Sequence, residues 1–213
     1  MILLTNPQKI YISVLVVSFL LVALLVGVFF YKFVYAKKHF REATYLKLAR
    51  LAKYNDYLLL NNYKINFDDE HIGIIDHILI SKKYIFVIND FSISGVITGS
   101  LKDRSLRMIE GKNTVKNISN PLNYNINLIK RLNLYHRLDR DLVIGLVIIN
   151  NDSEIMIEGM DNSFLMIRRK DLKKTIKRFE KANVKNLKEN DVLNFINKLD
   201  RENKKYEKVS EEN

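Results

Sequence analysis

The chain has 213 residues and is 47% apolar, which suits a packed core and excludes a disordered polymer. It has no cysteine, so disulfides, thiolate metal sites and a cysteine nucleophile are excluded. Its net charge of +11 favours nucleic acid or an anionic membrane face as partner; the alternative is plain compositional bias toward Lys, Asn and Ile.

The first element is Ile10–Tyr31, an uncharged run, IYISVLVVSFLLVALLVGVFFY. As a helix it reaches about 33 Å, enough to cross the hydrocarbon core of a bilayer. We read residues 10–34 as a transmembrane helix and 1–9 as a short extracytoplasmic N-terminus. The rival is a cleaved signal peptide, but the exit, FFYKFVYAKKHF, is bulky and then basic instead of small-x-small. Lys9 is the basic side chain before the span, whereas Lys32, Lys37, Lys38 and Arg41 follow it. The positive-inside rule then predicts a single-pass protein of the cell membrane with its C-terminal domain in the cytoplasm.

Apolar spacing predicts a helix from Ala36 to about Tyr54 and a strand with a bend or bulge over Tyr57–Phe67. An acidic loop, Asp68–Asp69–Glu70, follows. Ile74–Ile80 and Tyr84–Ile88 are short and rich in Ile and Val, and their brief connection predicts an antiparallel hairpin. In its first strand sits Asp76, a carboxylate that is costly to bury unless paired or bound to a metal. Gly95–Gly99 is a third short strand, and Gly111 turns between two polar strands within Ser105–Lys116. Asn120–Pro121 has the form of a helix start, with Asn as cap. Leu142–Ile149 reads as a strand buried on both faces, and Ile155–Ile157 and Phe164–Ile167 as further strands. Two basic amphipathic helices, Lys170–Ala182 and Lys188–Lys204, lead to a frayed end, KYEKVSEEN. The order is that of an α/β or α+β domain with a mixed central sheet flanked by helices. We divide the soluble part into a body, 36–182, and a basic C-terminal helix and tail, 183–213.

Four segments together resemble the NERD (nuclease-related) domain of the restriction-endonuclease-like superfamily, over about Arg41 to Lys177. They are Glu42 at the opening of the first helix, IDHILISKKYIFVIND (Ile75–Asp90), SGVITG (Ser94–Gly99) and SNPLNYNINLIKRL (Ser119–Leu132). The resemblance implies a nuclease fold in which an Asp and the acid of a Glu-x-Lys hold Mg²⁺ while the Lys helps activate water. Asp76 and Glu42 occupy the first-acid and helix-glutamate positions, and Asp76 is the metal-ligand candidate. Asn89 and Phe91 stand where the Glu and Lys are expected, Tyr124 at the Gln of the Asn-Pro motif, Leu106 at a Trp and Tyr84 at a Gly. An amide is a poor Mg²⁺ ligand, and Phe neither positions water nor carries charge.

The resemblance thus implies the fold, while Asn89 and Phe91 argue against the chemistry. A migrated site would need Asp90, turned inward by a bulge, or Lys82, Lys83 or Glu110. The bland alternative pairs Asp76 with Lys64, His77 or another base, and leaves His77 structural; the spacing of His71 and His77 is not diagnostic of a metal. Three functions follow. One is a membrane-anchored pseudoenzyme that binds DNA, RNA or a protein partner at the cytoplasmic face with no cofactor. The second is an active Mg²⁺-dependent nuclease with a migrated ligand. The third is a non-enzymatic adaptor lying on anionic lipid.

Overall fold

The computed structural model describes residues 6–66, 72–111, 114–136 and 140–211. The acidic loop Asp68–Glu70, His71 and the first five residues of the chain lie outside them. Two compact units result, Met1–Phe40 and Arg41–Asn213.

In the first unit, α1 (Asn6–Lys38) contains one stretch long and apolar enough to cross a membrane, Tyr11–Phe30, with a mean hydropathy of 3.0 and no part of it buried. By length and composition it fits a membrane span or an N-terminal signal sequence.

The second unit begins one residue into α2 (Phe40–Asn55) and continues with β1 (Leu58–Asn66). The hairpin follows as β2 (Ile72–Ile80) and β3 (Ile85–Asp90), closed at Ser81, whose N–H and hydroxyl both donate to the Tyr84 carbonyl. Next come β4 (Val96–Ser100), β5 (Ser105–Glu110), β6 (Thr114–Ser119) and α3 (Pro121–His136). Asn120 caps α3 as expected, its Oδ1 accepting from the Leu122 N–H at 3.0 Å. The chain ends with β7 (Val143–Ile149), β8 (Glu154–Glu158), β9 (Phe164–Arg168), a 3₁₀ turn at Arg169–Asp171, α4 (Leu172–Glu180) and α5 (Glu189–Glu211). Helix α5 continues through most of the stretch for which the sequence predicts fraying.

The class is the mixed α+β one expected, but the strands form two sheets instead of one. The first runs β1-β2-β3-β7-β9, with β3, β7 and β9 parallel and β1, β2 and β3 antiparallel. The second runs β6-β5-β4-β8. Every residue of β7 is buried, because this strand is central and covered on both faces.

Strand alternation divides β3 between two layers. Val87 joins a core with Leu128 and Leu132 of α3 and Phe195 and Leu199 of α5. Phe86 points the other way, its ring 5.7 Å from Phe179 of α4. Each such fully buried side chain contributes about 1.5–3 kcal/mol. Gly145 lets α3 lie close to β7, since a Cβ there would collide with Asn125 Oδ1 and come within 2.9 Å of Ile129 and 2.8 Å of Phe164.

Candidate functional site

The β2–β3 ladder ends at His77 opposite Ile88, and side chains take over beyond it. Asp76 Oδ2 accepts the backbone N–H of Asp90 at 2.8 Å, a bond that a strand carbonyl would otherwise make. Asn89 Nδ2 donates to the Ile74 carbonyl at 2.9 Å and to Asp76 Oδ2 at 3.4 Å. Asp76 Oδ1 lies 3.7 Å from the Arg41 guanidinium, at the start of α2. These partners allow Asp76 to stay 5% exposed. The base beside Asp76 is therefore Arg41, not Lys64 or His77. Lys64 lies across from Ile74 in the register, and His77 has a different acid.

The expected bend in β1 is at Asn62, which has φ 54°. The pairs Asn61–His77 and Tyr63–Ile75 flank it in unbroken register, so no residue is inserted and there is no bulge. The bend falls opposite Asp76.

Asn89 and Asp90 point to opposite layers. Asn89 faces α3, where buried Asn125 donates to Asn89 Oδ1 at 3.0 Å and to the Val87 carbonyl at 3.2 Å. The amide at the expected acid position is thus held at both ends, by the Ile74 carbonyl and Asp76 at its nitrogen and by Asn125 at its oxygen. Asp90 faces α2 and the Arg169 turn, where its Oδ2 lies 3.2 Å from His77 Nε2. His77 Nδ1 meets Asn61 Oδ1 at 2.6 Å, and Tyr45 of α2 stacks on the imidazole at 6.4 Å. Each ring nitrogen of His77 thus faces a side-chain oxygen. Burial pushes the Asp90 carboxyl above its usual range, against the pull of His77; Asp76 adds to the rise and Arg41 opposes it. Asp90 Oδ1 is buried without a hydrogen bond.

The remaining predicted residues are spread apart. Glu42 is exposed in the first turn of α2, and the member of that turn that reaches Asp76 is its neighbour Arg41. Phe91 is half-buried on the second core, edge-on to Tyr124 at 6.2 Å. The Tyr124 hydroxyl accepts from the Ile74 N–H at 3.0 Å and donates to the Ile74 carbonyl at 3.2 Å. The positions of the expected Lys and Gln thus form an aromatic clasp on β2. Leu106 is a fully buried core residue, and Tyr84 packs on Phe179. Lys83 donates to the Ala182 carbonyl, and Lys82 is exposed in the hairpin turn. Glu110 pairs with Lys116 in the second sheet. None of these three rebuilds a site at Asp76. Asp90 comes near without the bulge, but its Oδ2 is taken by His77.

The Mg²⁺ that the resemblance implies would meet one carboxylate here, Asp76, already engaged by a backbone N–H, an amide and a guanidinium. Among the described residues no group of three or more His, Asp or Glu side chains has the arrangement of a metal site. The donor set does not fit a hard divalent cation. Sequence reasoning missed Arg41, Asn125 and the His77–Asp90 pairing. The alternation of Asn89 and Asp90 was the available signal for the last of these.

Residues 37–150 match the family model of the nuclease-related domain, NERD. No curated protein and no solved structure matches the chain.

Proposed function

The chain belongs to the NERD nuclease-related family, and from that premise we propose that it is a membrane-anchored, non-cleaving member that binds nucleic acid. The observation that carries this reading is the neutral, doubly held amide of Asn89 beside Asp76. A nuclease needs a second carboxylate there to gather Mg²⁺ and a cation at Phe91 to act on water. With an amide and an aromatic ring in those places, the scaffold keeps its shape without the means to activate water. The charge of +10 that remains beyond Lys9 supports a polyanionic ligand. The uncharged stretch Tyr11–Phe30, followed by Lys32, Lys37, Lys38 and Arg41, supports a span with the NERD body on the cytoplasmic side.

The test uses the full-length protein in detergent micelles. Oligonucleotide binding should weaken roughly 20-fold between 50 and 200 mM salt for three phosphate contacts on a single strand. Supercoiled plasmid should stay intact with Mg²⁺ or Mn²⁺. Absence of binding at 50 mM salt removes the nucleic-acid reading in favour of a protein partner or an adaptor on lipid.

A second reading, an active nuclease with a migrated ligand, is favoured by one feature, the buried Asp90 Oδ1 without a hydrogen bond, on a carboxyl whose range Asp76 helps to raise. Nicking that disappears in Asp76→Ala would establish it.

A further inference from the structure

A second feature lies along α2, away from Asp76. Arg50, Leu51 and Tyr54 follow one another at helical spacing, one stripe of α2, and face Leu172, Lys173 and Lys177 of α4 across a groove of about 340 Å³. From Arg41 to Tyr54 the helix advances about 20 Å, so the groove is distinct from the Asp76 site.

Three properties give the groove a specific chemistry. Its floor is apolar, made by Leu51 and Leu172. Its rim carries Tyr54, a residue 82% exposed, which leaves a large aromatic side chain to solvent. Its walls carry Arg50, Lys173 and Lys177, cations with no hydrogen-bond or ion-pair partner among the described residues. Beyond them the cationic face of α4 continues through Lys174, Arg178 and Lys181 around a second, open hollow of about 910 Å³. The acid lining that hollow, Asp171, is already paired with Arg168 at 2.8 Å.

The groove is also held in shape. Lys47, on the same stripe of α2, donates to the Arg169 carbonyl at 2.6 Å and to the Lys170 carbonyl at 3.1 Å, just before α4. That strut sets the spacing of the two helices, and no ligand has to order it. Lys47 also lines the groove; burial, and then the charge of Arg169, hold its ammonium below its usual range.

Resting on the nucleic-acid reading above, we propose that this groove is where the chain binds single-stranded nucleic acid. One base stacks on Tyr54 over the Leu51–Leu172 floor, and the flanking phosphates pair with Arg50, Lys173 and Lys177. A single strand is favoured over a duplex because a paired base has its faces covered by its neighbours and cannot reach an exposed ring. The open row Lys174–Arg178–Lys181 continues the phosphate track.

The experiment uses the full-length protein in nanodiscs of phosphatidylcholine alone and a fluorescein-labelled 12-nucleotide oligo(dT), read by anisotropy from 50 to 200 mM salt. The expected wild-type log–log salt slope is about −2 for three phosphates. Lys173→Glu with Lys177→Glu should weaken binding at least tenfold and bring the slope to about −0.7. Tyr54→Ala should weaken binding roughly 5- to 150-fold with the slope unchanged, and Tyr54→Phe should restore it. Lys102→Glu with Arg107→Glu makes the same charge change on the second sheet and should have the smaller effect. Wild-type binding that is equally strong in the groove variants, or equally strong for a duplex, overturns the groove assignment and leaves the nucleic-acid reading standing. Failure of the wild type to bind overturns both.

Discussion

Asn89→Asp places a second carboxylate beside Asp76 with almost no change of shape. It deletes the amide that donates to the Ile74 carbonyl at 2.9 Å and to Asp76 at 3.4 Å. Two like charges about 4 Å apart repel by about 4 kcal/mol at an effective dielectric of about 20. Arg41, mostly exposed at 3.7 Å from Asp76, offsets part of that. A loss of about 2–4 kcal/mol at pH 7 is expected. At low pH, where the repulsion is lost, about 1 kcal/mol for the missing hydrogen bond should remain. The sign follows from linkage. One member of the new pair keeps its proton to a higher pH than in the unfolded chain, so its stabilising share is complete at low pH and disappears as pH rises.

The assay is urea denaturation of the full-length protein in micelles, followed by circular dichroism, because there is no Trp to report. Added Mg²⁺ makes the experiment sharper. If the paired acids create a site with a dissociation constant of about 1 mM, 10 mM Mg²⁺ returns about 1.4 kcal/mol to the variant and nothing to the wild type. A deficit that is the same at pH 3 and pH 7 would refute the electrostatic account of the site. Mg²⁺ stabilising the wild type equally would refute the conclusion that its donor set does not fit the metal.

Gly145→Ala should cost about 1–3 kcal/mol, since its Cβ meets Asn125, Phe164 and Ile129 together; a shift in denaturation midpoint below experimental error would show that α3 has room to move. For Asp90→Asn the prediction concerns pH. Asp90 is raised by burial, so its favourable contribution is complete below its unfolded value of 3.8 and disappears as pH rises through its folded value. Variant stability relative to wild type should therefore increase from pH 4 to pH 8, and a flat or falling difference would count against it. A reporter enzyme fused after Asn213 should be active on the cytoplasmic side, while activity outside would reverse the orientation.

Much of the architecture could be read from the residues in order. An uncharged stretch such as Tyr11–Phe30 has few structural uses, and its length alone suggests a span or a signal. Alternation and β-branching located the hairpin strands, Asn120–Pro121 located the start of α3, and the unbroken apolar run at Leu142–Ile149 indicated a central strand. Asn89 and Phe91, at the positions where the family resemblance places a Glu and a Lys, could likewise be identified without coordinates. These features are local, because periodicity and capping act over a few residues and leave their mark within one element.

The partners were decided elsewhere. Asp76 meets Arg41 and Asn89 meets Asn125 across dozens of residues, and both meetings depend on where α2 and α3 settle on the sheet. Asp90 turns to His77 because Asn89 already faces α3, a choice of layer that the sheet makes and the sequence only permits. The division into two sheets, and the groove that joins Arg50 and Tyr54 to Lys173 and Lys177, likewise exist only once the helices have packed. Side-chain patterns state which face of an element is apolar. Which other face covers it depends on the packing of the whole core, and no stretch of chain contains that information alone.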